Sequence, residues 1–198
     1  METFNTALFL LINAPDDPNV VMLMAAKSFA EYVIWLVPLV LVVGWLRGGP
    51  STRKLMLQAT VAGLGGLLIN QVIGWVWQHP RPFMIGLGHT FLHHAADSSF
   101  PSDHLTLLWA VSVSFLMHQR LRLAGALLTT LGLPMAWARI YLGVHFPLDM
   151  VGAAMVAGVS AWLCFCSERW WAGPVFQWAS TLYRHIFAPL IRRGWVLK

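Results

Sequence analysis

Charge is what this sequence has least of. Only 11% of its 198 residues are charged and 58% are hydrophobic, with a mean hydropathy of +0.64; ordinary soluble domains carry roughly 25% charge. That scarcity excludes an ordinary soluble domain and predicts an integral membrane protein. Cysteine is almost missing as well. Cys164 and Cys166 are too close for an easy disulfide and have no second pair to complete a zinc site, so a structural role is expected for both. The opening METFNTALFLLINAPDD lacks a basic n-region and a small-residue cleavage site, so no removable signal peptide is expected. No linker, repeat or low-complexity tract divides the chain, which reads as a single membrane-embedded domain over residues 1–198. Nor does a basic stripe interleaved with aromatics accompany the net charge of +5, so a nucleic-acid partner is not expected. The charge marks one face of a membrane instead.

What the sequence has is long apolar runs. A spanning helix needs about 20 mostly apolar residues, and five candidates emerge, near 20–46, 55–77, 102–118, 123–142 and 147–166. The predicted fold is all-α, a bundle of about five transmembrane helices, with room for a sixth through 173–191. Arg184 and His185 near the middle of that sixth segment make it expensive. The stretch Phe4 to Ile12 is too short to span, and the tail from Trp170 mixes tryptophans with basic residues. Both are predicted to be interfacial helices.

The basic residues orient the bundle. Ten of the 13 Lys and Arg fall in the 47–54 link, the 118–122 turn and the C-terminal tail: Arg47, Arg53, Lys54, Arg120, Arg122, Arg169, Arg184, Arg192, Arg193 and Lys198. The positive-inside rule makes these cytoplasmic. The N-terminus and the 78–101 and 143–146 loops are then outside, together with seven of the eight acidic residues.

Three polar clusters fall at the outer ends of spans: His79-Pro80-Arg81-Pro82, then Pro101-Ser102-Asp103-His104, then Arg139 through His145 to Asp149. Ionisable groups gathered in one layer beside the apolar region predict a functional site. These residue types suit phosphoryl transfer. Arg81 and Arg139 offer planar donor forks for phosphate oxygens, and Ser102 is placed to cap a helix whose free N–H groups attract anions. Pro147 fits the first helical position, so Asp149 is predicted to fold back onto His145, fixing its tautomer and leaving the other nitrogen as a nucleophile. His104 is the predicted general acid.

Arg81-Pro82, Pro101-Ser102-x-His104 and Arg139-x5-His145-x3-Asp149 resemble the three motifs of the type 2 phosphatidic acid phosphatases, over roughly residues 55–166. The resemblance implies a metal-independent lipid phosphatase without a cofactor. It implies a phosphohistidine at His145 oriented by Asp149, proton transfer by His104, and phosphate held by Arg81, Ser102 and Arg139. Three positions depart from the pattern: Gly74 stands for the first-motif lysine, Ala138 for the first serine of the third motif, and Asp103 for the glycine of the second. Gln78, His79 or Lys27 are candidates to replace the lysine. The run "FPSDH" resembles the bacitracin-resistance branch, the bacterial undecaprenyl-diphosphate phosphatases. That branch implies undecaprenyl diphosphate as the lipid partner, in the inner membrane, recycling the cell-wall carrier. Phosphatidylglycerophosphate, phosphatidate or a non-enzymatic transporter of anionic lipid are the alternatives.

Remaining groups have plainer readings. Lys27 and Glu31, four apart near the outer level, predict an ion pair, with a headgroup or site role as the alternative. His89, His93, His94 and Asp97 contain metal-ligand types, but a loop cluster without a scaffold is expected to face solvent or headgroups. Asp103 should repel a phosphate, so it is predicted to turn toward an arginine or a backbone donor.

Overall fold

The computed structural model describes residues 2–197, which form helices, turns and loops with no strand among them. Lys198, one of the residues counted as cytoplasmic, lies outside the described residues. Eight α-helices follow in order: α1 Glu2–Ile12, α2 Val20–Tyr32, α3 Leu36–Arg47, α4 Pro50–Val76, α5 Asp103–Leu116, α6 Arg122–Tyr141, α7 Pro147–Ile186 and α8 Ala188–Arg192. Four helical stretches are long and apolar enough to cross a membrane: Val20–Arg47, Pro50–Val76, Gln119–Tyr141 and Pro147–Ile186. The first bends through a 3-10 turn at Val33–Trp35. Pro38 accounts for it, because its missing N–H and its ring both disfavour the bond back to Ile34.

The predicted span at 102–118, α5, has only 14 residues, about 21 Å of helix. It can be short because protein surrounds it. It packs against α4, α6 and α7, and Leu105, Thr106, Leu108, Ala110, Val111 and Phe115 are fully enclosed. Backbone polar groups at membrane depth are tolerable where protein covers them. Small residues let the helices approach: a Cβ on Gly66 of α4 would lie 2.9 Å from the Thr106 methyl of α5. The start of α5 is therefore recessed into the bundle.

Both ends of the chain differ in detail from the predicted interfacial helices. α1 exposes Phe4 and Leu11, yet it buries Asn5 and Phe9. Asn5 Oδ1 accepts from the Leu148 N–H at 3.0 Å, and Phe9 packs on Phe146 with ring centroids 5.4 Å apart. Asn13 then ties the end of α1 to the carbonyls of His89 and Tyr141. At the other end no separate sixth span forms. α7 runs unbroken for 40 residues, about 60 Å against an apolar thickness of about 30 Å. Its distal half packs on Trp45 through Phe176 and Tyr183. Arg53, one of the basic residues counted as cytoplasmic, is buried there and donates to the carbonyls of Trp45 and Leu197.

Candidate active site

The start of α7 is built around one carboxylate. Pro147 opens the helix and Asp149 stands two residues on. Asp149 Oδ2 accepts the Phe146 N–H at 2.8 Å and lies 3.1 Å from His145 Nδ1. The pair is almost wholly enclosed, with side-chain exposures of 2% for His145 and 1% for Asp149. A carboxylate on Nδ1 places the proton there and leaves Nε2 with its lone pair. Burial first, then the charges of Arg139 and Arg81, hold the His145 imidazole well below its ordinary value. The ring is thus neutral at physiological pH.

The turn before α7 is set by Gly143, whose φ of +80° and contact with the His89 carbonyl leave no room for a side chain. It carries the Val144 carbonyl to Arg81, whose Nη1 donates to it at 2.9 Å and lies 3.0 Å from His145 Nε2. Arg81 is further pinned by the Ser98 carbonyl at 3.2 Å and by Asp97 at 2.9 Å. The loop of residues 77–102 supplies three of these groups. It is anchored by the Ser99 N–H on the His79 carbonyl and the Phe91 N–H on the Leu142 carbonyl.

Arg139, near the end of α6, is the largest fully buried side chain. Its Nη1 donates to the Ala30 carbonyl at 3.3 Å, while its Nε and Nη2 are buried with no partner among the described residues. An enclosed guanidinium with two idle nitrogens is costly unless an anion completes it. Ser102 Oγ is likewise enclosed and unpartnered. His104, one residue inside α5, lies within electrostatic reach of Arg139, His94 and Arg81. The three motifs therefore meet around one recessed point.

Several expectations need correcting. Ser102 occupies the N-cap position of α5, but its hydroxyl makes no cap hydrogen bond, which leaves it free as a donor. Among the described residues Asp103 pairs with neither an arginine nor a backbone donor. It accepts instead from the side-chain amides of Asn70 at 2.8 Å and Gln71 at 3.4 Å, both on α4. Lys27 and Glu31 form no ion pair among the described residues; Lys27 is half-buried and Glu31 exposed, the latter within electrostatic reach of Arg139. No hydrogen bond joins Gln78, His79 or Lys27 to Arg81, Ser102 or Arg139 among the described residues. His79 turns to Glu2 at 3.4 Å and packs edge-on against Phe146, while Gln78 is exposed. The loop histidines part company. His89 pairs with Asp16, His93 is exposed, and His94 sets its ring edge-on to His145 with centroids 6.1 Å apart. No group of three His, Cys, Asp or Glu side chains converges as metal ligands among the described residues.

Two site residues escaped the sequence reading. Ser99, fully buried, donates its hydroxyl to Asp149 Oδ2. Asp97, weighed only as a metal ligand, is the carboxylate partner of Arg81. Nothing local in the sequence separates Ser99 from its neighbour Ser98.

An all-helical membrane bundle that gathers two histidines, two arginines and a serine around the start of its short central helix defines a class of phosphate-handling membrane proteins. The chain belongs to the PAP2 superfamily, which it matches over residues 54–172. It is 40% identical, over 99% of its length and 98% of the relative's, to the Escherichia coli K12 protein named "Putative undecaprenyl-diphosphatase YbjG". It is 38% identical to the undecaprenyl-diphosphatase BcrC of Bacillus subtilis, over 81% of this chain and 82% of that one. The crystal structure of Aquifex aeolicus LpxE shares the fold, with a TM-score of 0.66 at 23% identity over 82% of this chain and 94% of that one.

Proposed function

We propose that this protein is an undecaprenyl-diphosphate phosphatase, releasing undecaprenyl phosphate and inorganic phosphate. One relationship carries the reading: Asp149 holds Nδ1 of a buried His145 while Arg81 and the half-idle Arg139 stand ready for anionic oxygens. The relatives' names supply the lipid.

In this reading Arg81, Arg139 and the Ser102 hydroxyl bind the terminal phosphate, and Arg81 moves from Nε2 onto its oxygens. His145 Nε2 attacks the terminal phosphorus. The bond from that phosphorus to the bridging oxygen breaks, His104 gives the bridging oxygen its proton, and undecaprenyl phosphate leaves. His104 then takes a proton from water, whose oxygen attacks the phosphohistidine. Inorganic phosphate departs and His145 is restored. Asp149 stabilises the charge on His145 throughout.

The test is phosphate release by the purified protein from undecaprenyl diphosphate, with His145→Ala and His104→Ala beside the parent. Both variants should lose turnover by at least about a hundredfold while still binding lipid. Parental turnover in His145→Ala would remove the proposed nucleophile. The basic ends of the helices support an inner-membrane protein with a cytoplasmic C-terminus and a site open to the periplasm. In a background with Cys164 and Cys166 replaced by alanine, an impermeant thiol reagent should label Ala95→Cys from the periplasm. Labelling only from the cytoplasm would invert this topology.

A further inference from the structure

The motif residues account for one phosphate, whereas a lipid diphosphate brings two. The second phosphate adds negative charge beside a seat that lacks the first-motif lysine, since position 74 is glycine. Outside the motifs, the imidazole that faces the nucleophile is His94. Its ring stands edge-on to His145 at 6.1 Å between centroids and 76° between planes. Its side chain is 19% exposed, so it is neither sealed nor loose. Nδ1 is engaged by the Ala95 carbonyl at 3.2 Å, which leaves Nε2 without a partner among the described residues. Arg81, Arg139 and His104 all lie within its electrostatic reach; the Asp97 carboxylate, 3.8 Å from Nδ1, is on the opposite ring nitrogen and is itself paired with Arg81, so an anion at Nε2 meets three cationic or protonatable neighbours.

His94 also borders a cavity of about 580 Å³, lined by Phe83, Thr90, Phe91, Leu92, His93 and His94. Its apolar wall is tied to the site at two points. Phe83 follows Arg81 by two residues in the 3-10 turn Pro82–Ile85, and the Phe91 N–H donates to the Leu142 carbonyl just before the His145 turn. A cavity with apolar and aromatic walls, bordered by an imidazole that also faces the nucleophile's ring, suits a ligand with an apolar chain and an anionic head.

We propose that His94 and this cavity form the leaving-group subsite: His94 binds the phosphate attached to the lipid, and Phe83, Phe91 and Leu92 receive the first isoprene units. The inference rests on the lipid-diphosphatase reading above and assigns its selectivity for diphosphates to a residue outside the family motifs. Imidazole arrives neutral, since burial and then Arg81 hold its value low, and the incoming negative charge favours its protonation into a donor.

The experiment compares a prenyl diphosphate with the prenyl monophosphate of the same chain, using the purified full-length protein, His94→Ala and His94→Arg. The monophosphate has no second phosphate, so it serves as a folding control. His94→Ala should lower kcat/KM for the diphosphate by about tenfold or more and leave the monophosphate within about twofold of the parent. His94→Arg should restore most of the preference through its permanent charge. Equal losses on both substrates, or no loss on either, would overturn the subsite. A parent that hydrolyses neither lipid would bring down the phosphatase reading itself, and the subsite with it.

Discussion

Ser99 donates its hydroxyl to the same Asp149 oxygen that faces His145 Nδ1, although 50 residues separate the two in sequence. The loop ahead of α5 thereby holds the carboxylate at the head of α7, and the carboxylate holds the imidazole. A hydrogen bond to a charged acceptor contributes about 1.5–3 kcal/mol. Ser99→Ala should therefore lower kcat by about tenfold with KM nearly unchanged, because phosphate binding falls to other groups. Ser99→Thr keeps the hydroxyl and should recover most of the rate. Steady-state kinetics on the three proteins checks this, and equal rates in Ser99→Ala and the parent would show that the Phe146 N–H suffices.

The same burial makes stability depend on pH. His145 titrates well below its ordinary value in the folded protein, through burial first and then Arg139 and Arg81, whereas in the unfolded chain it titrates near 6.5. Below that pH the unfolded chain takes up a proton that the folded chain refuses. Stability is fully present above about 6.5 and is lost as pH falls toward the folded value. The thermal midpoint in detergent should drop from pH 7 to pH 5, and His145→Asn should flatten that drop. Parallel curves for the two proteins would assign the acid sensitivity to other groups.

Arg139 offers a less intuitive outcome. Its Nε and Nη2 are enclosed and idle among the described residues, and replacing buried charge by an apolar side chain of similar volume is often neutral or stabilising by about 1–4 kcal/mol. Arg139→Met should melt no lower than the parent in the absence of anion. Phosphate or vanadate, at about 100 times its dissociation constant, should stabilise the parent by about 2.7 kcal/mol and stabilise Arg139→Met, which keeps only Arg81 and Ser102, by markedly less. A variant that melts far below the parent would make Arg139 a structural strut held by the Ala30 carbonyl.

Much of this arrangement is legible along the chain. Apolar runs locate the spans, and the Arg139–His145–Asp149 spacing predicts the fold-back seen at the start of α7, because helix geometry fixes groups three and four residues apart. Relations set by the 77–102 loop are not legible. Ser99 reaches Asp149, Asp97 reaches Arg81 and His94 reaches His145 through a path of carbonyl anchors and a glycine at φ +80°, and no periodicity encodes such a path. Asp103 was misjudged for a related reason. Its amide partners Asn70 and Gln71 lie in a helix that reads as a plain apolar span. The unbroken length of α7 was hidden because Arg169 and the tryptophans that follow resemble the end of a span, whereas the helix continues past them to pack Phe176 and Tyr183 on Trp45.

Gly74 is where the family pattern calls for lysine, and the cavity beside it explains why restoring that lysine should do little for phosphate. A Cβ at 74 would meet Ser98 Cβ at 3.4 Å, an ordinary contact, so a side chain fits without strain. Beyond it lies a cavity of about 350 Å³ whose lining includes Gln71, Gln78, Asp97 and Asp103. An ammonium entering there shares the cavity with two carboxylates, and Arg139 is not among the residues that line it. Gly74→Lys should raise the thermal midpoint, since lysine exceeds glycine in helix propensity by roughly 0.5 kcal/mol or more, and should leave kcat/KM within about threefold of the parent. A tenfold gain in kcat/KM would mean that the ammonium reaches the phosphate, and that the carboxylates at 97 and 103 do not shield the seat from this side.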